Sequence, residues 1–379
     1  MSRTPQAIRG RALRRRDGGR VGRIAAWAAF GLVVVLVGLT VAGRLLSAPP
    51  SIVAAGVTFL PYLYAVVTAV VFCVWAAFPD RRAFPAVLFS VVAIAAAIWG
   101  PRWGTDGPVG PEVTGEELRV MSWNLRRLWG GPDDRGDASA CAVDAIREAA
   151  PDVLTLLEVS KNDVDGLTAA LDLTCVHHPY REGGGPKTGG LATCVRGGRW
   201  QLRSGAGQRF VDAEDWFYVF SELAHGDRVF NLLAVHLSPY EYVAKKLRTA
   251  ANDLAQGTPD TLVDLSRQSE QIVRGQSDQS AALLERVDKF RDPTIVAGDF
   301  NSTRDSALHA SLRQHLADAW DVGGVGFGGT VDLFEHLPLR IDYIYLSDQF
   351  RIRSTAVPQV GCSDHRPVVS DVVLTGGAP

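Results

Sequence analysis

Near the C-terminus, Ser363-Asp364-His365-Arg366-Pro367 sets a carboxylate beside an imidazole, just before the apolar run that Val368 and Val369 begin. On a loop entering a strand, such a pair can hold a metal or a phosphate, because one group is anionic and the other titrates close to neutral pH. Five further segments carry a polar side chain of the same sort at a strand end or strand edge. Leu118–Asn124 alternates and ends on the amide of Asn124, and Asp152–Glu158 is apolar and closes on Glu158. Leu232-Leu233-Ala234-Val235 runs into His236, Thr294–Asn301 runs into Gly298-Asp299-Phe300-Asn301, and Arg340–Leu346 carries Asp342. A carboxylate closing an apolar run is costly to bury unpaired, so Glu158 either reaches water or binds a cation. Polar groups at the ends of six separate strands on one β-rich scaffold point to convergence on one site.

The elements that must position these residues are legible from periodicity. Besides the strands above, Leu191–Arg196, Phe217–Leu223 and Val229–His236 read as β-strands, the last two joined by a turn at 224–228. Ala138–Ala149, Tyr240–Leu254 and Leu262–Phe290 have helical spacing, and the last is amphipathic enough to cover a sheet. In Arg340–Leu346, alternation sets Asp342 and Ile344 on one face and Tyr343 and Tyr345 on the other. His177 and His178 read as loop residues ahead of the glycine-rich stretch Gly183–Gly190, which lacks the Gly-Lys-Ser/Thr of a phosphate-binding P-loop.

Apolar content concentrates in the first hundred residues. Ile24–Gly43, Ile52–Phe78 and Ala83–Trp99 hold no charged residue, and each is near the roughly 17–25 residues that span a bilayer, so three transmembrane helices are expected. Eight arginines precede the first span, and Arg81 and Arg82 separate the second from the third, which puts both segments in the cytoplasm and everything after Trp99 outside. A cleaved signal peptide would not need the second and third stretches. The chain divides into a basic cytoplasmic arm (1–23), a membrane domain (24–99), a linker (100–116) and a β-rich domain (117–375).

Charge follows the same division. Residues 1–102 hold 12 arginines and no lysine against Asp17 and Asp80, a net of +10, so a whole-chain net of −2 leaves −12 on residues 103–379. A domain this acidic has no overall electrostatic footprint for nucleic acid, whereas the basic arm suits the anionic inner leaflet of a lipid bilayer. An external location permits a disulfide among Cys141, Cys175, Cys194 and Cys362, and spacing does not choose the pair.

Taken in order, strand-Asn124, strand-Glu158, strand-His236, Gly-Asp-Phe-Asn, Arg-Ile-Asp-Tyr-Ile and Ser-Asp-His-Arg-Pro resemble the endonuclease/exonuclease/phosphatase superfamily over about residues 117–375. The resemblance implies a four-layer α/β sandwich, two mixed β-sheets packed face to face with helices outside, and a Mg²⁺-dependent phosphoesterase, with Mn²⁺ as the alternative cation. It implies Glu158 as the principal metal carboxylate, with Asn124 and Asp364 beside the metal. It further implies Asp299 as the acid that aligns or deprotonates water, Asn301 as a holder of a phosphoryl oxygen, His365 as the catalytic imidazole and Asp342 as its orienting carboxylate. His236 is similar to a histidine of the DNase I and sphingomyelinase branches. Leu157 stands where many members have Gln. Membrane spans ahead of such a domain resemble the VanJ-type teicoplanin-resistance proteins. That likeness implies an extracytoplasmic site acting on a lipid phosphate or pyrophosphate; an anchored nuclease or a sphingomyelinase-like phosphodiesterase is the alternative.

Overall fold

The computed structural model describes residues 6–46, 51–77, 89–90, 92–93, 114–126, 135–181, 188–210, 217–238, 260–333 and 337–375. The chain divides into two compact units, one of Met1–Leu46 with Ile52–Pro101 and one of Arg102–Pro379 with Ser47–Ser51. The expected linker and the expected helix Tyr240–Leu254 lie largely or wholly outside the described residues.

In the first unit, α1 (Gln6–Leu45), α2 (Ser51–Thr58) and α3 (Leu60–Ala77) are helical. The second expected span is interrupted at Phe59, because Pro61 has no N–H to continue the helical ladder and its ring crowds the carbonyl four residues back. Tyr62 and Leu63 both donate instead to the carbonyl of Phe59. Among the described residues, two helices are long and apolar enough to cross a membrane, Ile24–Leu45 and Leu60–Ala77, against the three spans expected in the chain. The third expected stretch, Ala83–Trp99, falls outside the described residues except for helical pieces at 89–90 and 92–93. α1 and α3 pack through Leu36, Leu60, Tyr64 and Val67, and Thr40 and Tyr64 share a 2.7 Å hydrogen bond. Only 11% of the most apolar stretch of α1 is buried, where the core helix of a soluble domain would hide most of it.

The second unit is a layered α/β sandwich, as expected. One sheet runs β13 (Phe350–Ala356), β14 (Val368–Thr375), β1 (Gly115–Asn124), β2 (Val153–Ser160), β4 (Gly189–Arg196), β3 (Leu173–Pro179). The other runs β5 (Gln201–Arg209), β6 (Phe217–His225), β7 (Arg228–His236), β8 (Thr294–Asp299), β12 (Asp342–Leu346), β9 (Ala317–Asp318). Both sheets are mixed: β1 pairs parallel with β2 and β7 parallel with β8, while the other pairings are antiparallel. A two-stranded ribbon, β10 (Val331–Leu333) with β11 (Leu337–Leu339), completes the strands.

Strand alternation sorts the core into three apolar layers. Leu118, Val120 and Val153 of the first sheet meet Leu232, Ile295 and Ile344 of the second. On the outer face of the first sheet, Trp123, Leu154 and Leu156 pack with Ile146 of α4 (Arg135–Ala149) and Leu167 of α5 (Lys161–Leu171). On the outer face of the second, Val235, Tyr343 and Tyr345 pack with Leu283 of α6 (Asp260–Lys289) and Leu312 of α7 (Ala307–His315). The expected opposition of Asp342 and Ile344 to Tyr343 and Tyr345 is therefore observed. His177 and His178 lie on β3 and not on a loop, since both pair across the ladder with β4, opposite Ala192 and Leu191. Two disulfides form, Cys141–Cys362 and Cys175–Cys194, the second between residues directly opposite on β3 and β4.

One glycine fixes how closely β7 and β8 approach at the end of the sheet. Gly298 has φ +149, and a Cβ there would sit 1.9 Å from the carbonyl oxygen of Val235. Gly298→Ala should therefore cost more than about 3 kcal/mol, read as a collapse of the second unit's thermal transition, because the obstruction is backbone and cannot rotate away.

Candidate active site

Strand direction brings the expected residues together. β1 and β2 run parallel, so Asn124 and Glu158 lie at the same end of the first sheet, and β14, antiparallel to β1, starts there just after His365. In the second sheet β7 and β8 end where β12 begins, and the register sets His236 opposite Asp299 and Asp299 opposite Asp342. Three neighbouring strands thus carry an imidazole and two carboxylates in one row. All three continue faces that point into the core between the sheets, so the site is the polar end of that core.

Backbone irregularities finish the placement. Glu158 has φ 55, and the β2–β4 register slips between Leu157 and Val159, so it is the extra residue of a β-bulge. A bulge re-aims a side chain that a regular strand would send elsewhere. Asn301 has φ 47 just after β8; its backbone N–H donates to Asp299 Oδ1 at 2.8 Å and its Nδ2 donates to the carbonyl of Leu237 at 2.8 Å. Two non-glycine residues held in the left-handed region at one site mark strain that the surrounding fold sustains.

The polar network is continuous. Asn124 Nδ2 donates to Glu158 Oε1 at 3.2 Å and to Asp299 Oδ2 at 3.1 Å. His236 Nε2 stands 3.9 Å from Glu158 Oε1 and 3.7 Å from Asp299 Oδ2. His365 Nε2 is 3.9 Å from the same Asp299 oxygen, while its Nδ1 pairs with Asp342 Oδ2 at 2.9 Å. Asp364 turns to the rim, where it is paired with Arg126.

Burial and charge drive the two histidines apart. His236 is pushed down to about 4, chiefly because burial penalises its charged form, and the Tyr180 hydroxyl bonds its Nδ1. For His365 burial works the same way, but the Asp342 carboxylate and its hydrogen bond, helped by Asp299 and Glu158, outweigh it and raise the imidazolium to about 9. Asp299 is raised to about 8, first by burial and then by Asp342, although donors from Asn301 and Asn124 work against this.

This donor set fits a hard divalent cation. Three carboxylates crowd a site in which His365 supplies the one cationic side chain found among the described residues of the cluster, and the buried Oδ1 of Asp342 has no hydrogen-bond partner. Oxygen ligands with excess negative charge suit Mg²⁺ or Mn²⁺. Ligand atoms of Asp299, Asp342 and His365 lie within 4.8 Å of one another. His365 Nδ1 is engaged with Asp342, however, and an imidazolium has no lone pair to give. Glu158, its side chain 28% exposed and held by Asn124, is the carboxylate left open to a cation.

Four supporting residues carry no signal in the reading by motif. Tyr180 orients His236, and Arg126 pairs with Asp364. Ser363 Oγ donates to the carbonyl of Asn124 at 2.8 Å and accepts from the N–H of His365 at 3.1 Å, which ties the His365 loop to the end of β1. Thr330 Oγ1 accepts the N–H groups of Ile341 and Asp342, both at 3.2 Å. Ser363 adjoins the Asp364-His365 pair and Tyr180 follows His177 and His178, yet neither has a chemistry that its position announces; Thr330 ends a glycine-rich stretch and nothing local announces it.

Similarity to known proteins agrees with this geometry. No curated protein sequence matches the chain. Among solved structures, an endonuclease/exonuclease/phosphatase from Bacteroides vulgatus is similar at 15% identity and TM-score 0.53, covering 68% of this chain and 99% of its own. The human Nocturnin catalytic domain with bound sulfate is similar at 20% identity and TM-score 0.51, covering 68% and 94%. A mannosyl-6-phosphatase from Bacteroides thetaiotaomicron VPI-5482 is similar at 17% identity and TM-score 0.50, covering 68% and 99%. At these identities the likeness is one of fold. The sequence profile described as the Endonuclease/Exonuclease/phosphatase family matches residues 121–365, from β1 through His365, and the chain belongs to that family.

Proposed function

We propose that this protein is a membrane-anchored, Mg²⁺-dependent phosphoesterase whose site lies outside the cytoplasm and hydrolyses the phosphate ester or pyrophosphate of a membrane lipid carrier. The observation that carries the phosphoesterase reading is the row of His236, Asp299 and Asp342 facing Asn124, Glu158 and His365 at one end of the sandwich. Two exposed apolar helices ahead of the domain support the anchor, and the likeness to VanJ-type proteins rests on the three expected spans ahead of such a domain. The disulfides Cys141–Cys362 and Cys175–Cys194 support an oxidising compartment. The −12 balance of residues 103–379 favours a lipid headgroup over a nucleic-acid backbone.

Glu158 and Asn124 would hold the cation, which when bound neutralises phosphoryl charge and polarises the P–O bond. Asp299, gripped through both oxygens by Asn301 and Asn124, is fixed to orient water and, in its ionised form, to take the water's proton. Asn301 gives one Nδ2 hydrogen to Leu237 and has its second for a phosphoryl oxygen. His365, held as an imidazolium by Asp342, is the group able to protonate a leaving oxygen. His236 stays neutral; in the tautomer whose Nδ1 accepts from the Tyr180 hydroxyl, Nε2 carries the hydrogen and serves as a donor to developing negative charge.

Three measurements test this. Glu158→Gln should leave the thermal transition within about 1 kcal/mol of the parent while Mg²⁺ affinity falls at least about tenfold by calorimetry; an unchanged affinity would remove Glu158 from the metal site. The alkaline limb of the pH–rate profile, set by loss of the His365 proton, should lie near pH 9 and move toward 6.5 in Asp342→Asn, because removing the carboxylate removes what raises that group. Full-length protein in lipid vesicles should hydrolyse a polyprenyl phosphate or pyrophosphate faster than any oligonucleotide at the same Mg²⁺ and salt. Faster turnover of DNA would establish the anchored-nuclease reading instead.

A further inference from the structure

The second unit keeps its large apolar side chains inside, with one local exception. Among its described residues, the exposed large hydrophobics are Val322, Val325 and Phe327, at 40%, 76% and 51%. They belong to Val322-Gly323-Gly324-Val325-Gly326-Phe327-Gly328-Gly329-Thr330, a run with no charged residue in a strongly acidic domain.

This exposure is built. The segment leaves α8 (Ala319–Gly323) and wraps Trp320, whose Nε1 donates to the carbonyl of Gly326 at 3.3 Å and whose carbonyl accepts the N–H of Gly324 at 2.9 Å. A Cβ at Gly324 or Gly328 would come within 2.3 Å of the indole, so only glycine lets the chain lie on that ring. With both flanks seated on Trp320, Val325 and Phe327 stand out in solvent. At the far end, Gly329 accepts from Arg366 Nη1 at 3.0 Å, Thr330 carries the backbone of Asp342, and Val331 forms a bridge with His365. Thr330 lies three positions beyond Phe327, a reach of at most about 11 Å.

We propose that residues 322–328 form a membrane-contacting loop, whose occupant is the outer acyl region of a lipid bilayer and whose contact brings the adjoining His365 and Asp342 to headgroup level. The inference rests on the reading of a membrane lipid as substrate. Three side chains on one short loop are too few for a stable protein interface, which takes roughly 20–30 residues a side around aromatic or arginine anchors. They suffice for a second, intramolecular attachment of a chain that already carries two apolar helices, because the bilayer is then at high effective concentration. A run without charges also enters lipid without desolvating an ion.

The test uses the full chain in phosphatidylcholine–phosphatidylglycerol vesicles, with a nitroxide at Val325→Cys on a Cys73→Ser background that removes the free thiol. Dissolved oxygen should relax the label several-fold more effectively than an aqueous nickel chelate, relative to a label at Arg351→Cys on an exposed strand position. Equal access of the chelate at both positions would overturn the proposal. Immobilisation in detergent that grows with protein concentration would also overturn it, assigning the loop to a second copy of the chain. In the same vesicles, Val325→Ser with Phe327→Ser should lower turnover of a lipid phosphate about tenfold and leave hydrolysis of p-nitrophenyl phosphate unchanged. An immersed label with undiminished lipid turnover would overturn the headgroup-positioning part. Should the parent protein hydrolyse no lipid phosphate, the substrate reading falls, while the label still decides where the loop lies.

Discussion

The constraint on which the site depends is the burial of more carboxylate than the interior can ionise. Glu158, Asp299 and Asp342 converge at the end of the inter-sheet core, and Asp299 and Asp342 are almost wholly out of water. Such a group must be paired, hydrogen-bonded or protonated. Each solution is used: Asp342 takes His365 as an ion-pair partner, Asp299 collects N–H donors from Asn124 and Asn301 and is still raised to about 8, and Glu158 keeps an opening to solvent. The unrelieved remainder of negative charge is what a divalent cation would balance.

Holding that cluster in place is the work of the sheets, and its accuracy comes from register. A one-residue slip in the second sheet would send His236, Asp299 and Asp342 to the opposite face, into the apolar packing of Tyr343 and Tyr345. The apolar layers on both sides of each sheet exclude that slip, so hydrophobic patterning remote from the chemistry decides where the acids point. Among the site's departures from regular geometry are Glu158, Gly298 and Asn301, where a pleated strand would misdirect a side chain or block the approach of β7 and β8.

Much of this was legible in the sequence, for physical reasons that also set the limit. Alternation located the site-bearing strands, and a polar residue closing an apolar run drew attention to Asn124, Glu158, His236, Asp299 and Asp342. The bulge was not legible: Glu158 looked like a strand tip, yet β2 continues to Ser160 past a left-handed residue that no local composition announces. His177 and His178 were misread as loop because a following proline and glycines outweighed their pairing with β4, a long-range contact. An unbroken apolar run also concealed the stop at Pro61, which divides the second expected span. Asp364, grouped with the metal by its motif, takes Arg126 as partner, and Arg126 stands in no motif at all.

The two histidines show why proximity in the site does not confer a common role. Their Nε2 atoms approach the same Asp299 oxygen, at 3.7 and 3.9 Å, and both rings are buried. What differs is the partner on Nδ1. A carboxylate behind His365 stabilises a charged ring, while a neutral phenol stands behind His236, where burial outweighs the raising effect of Glu158 and Asp342, and the two groups separate to about 9 and about 4. At neutral pH one ring is therefore charged and the other neutral. The opposed roles proposed for the two rings need such a separation, and here it follows from the Asp342 carboxylate behind His365 and from burial without such a partner at His236.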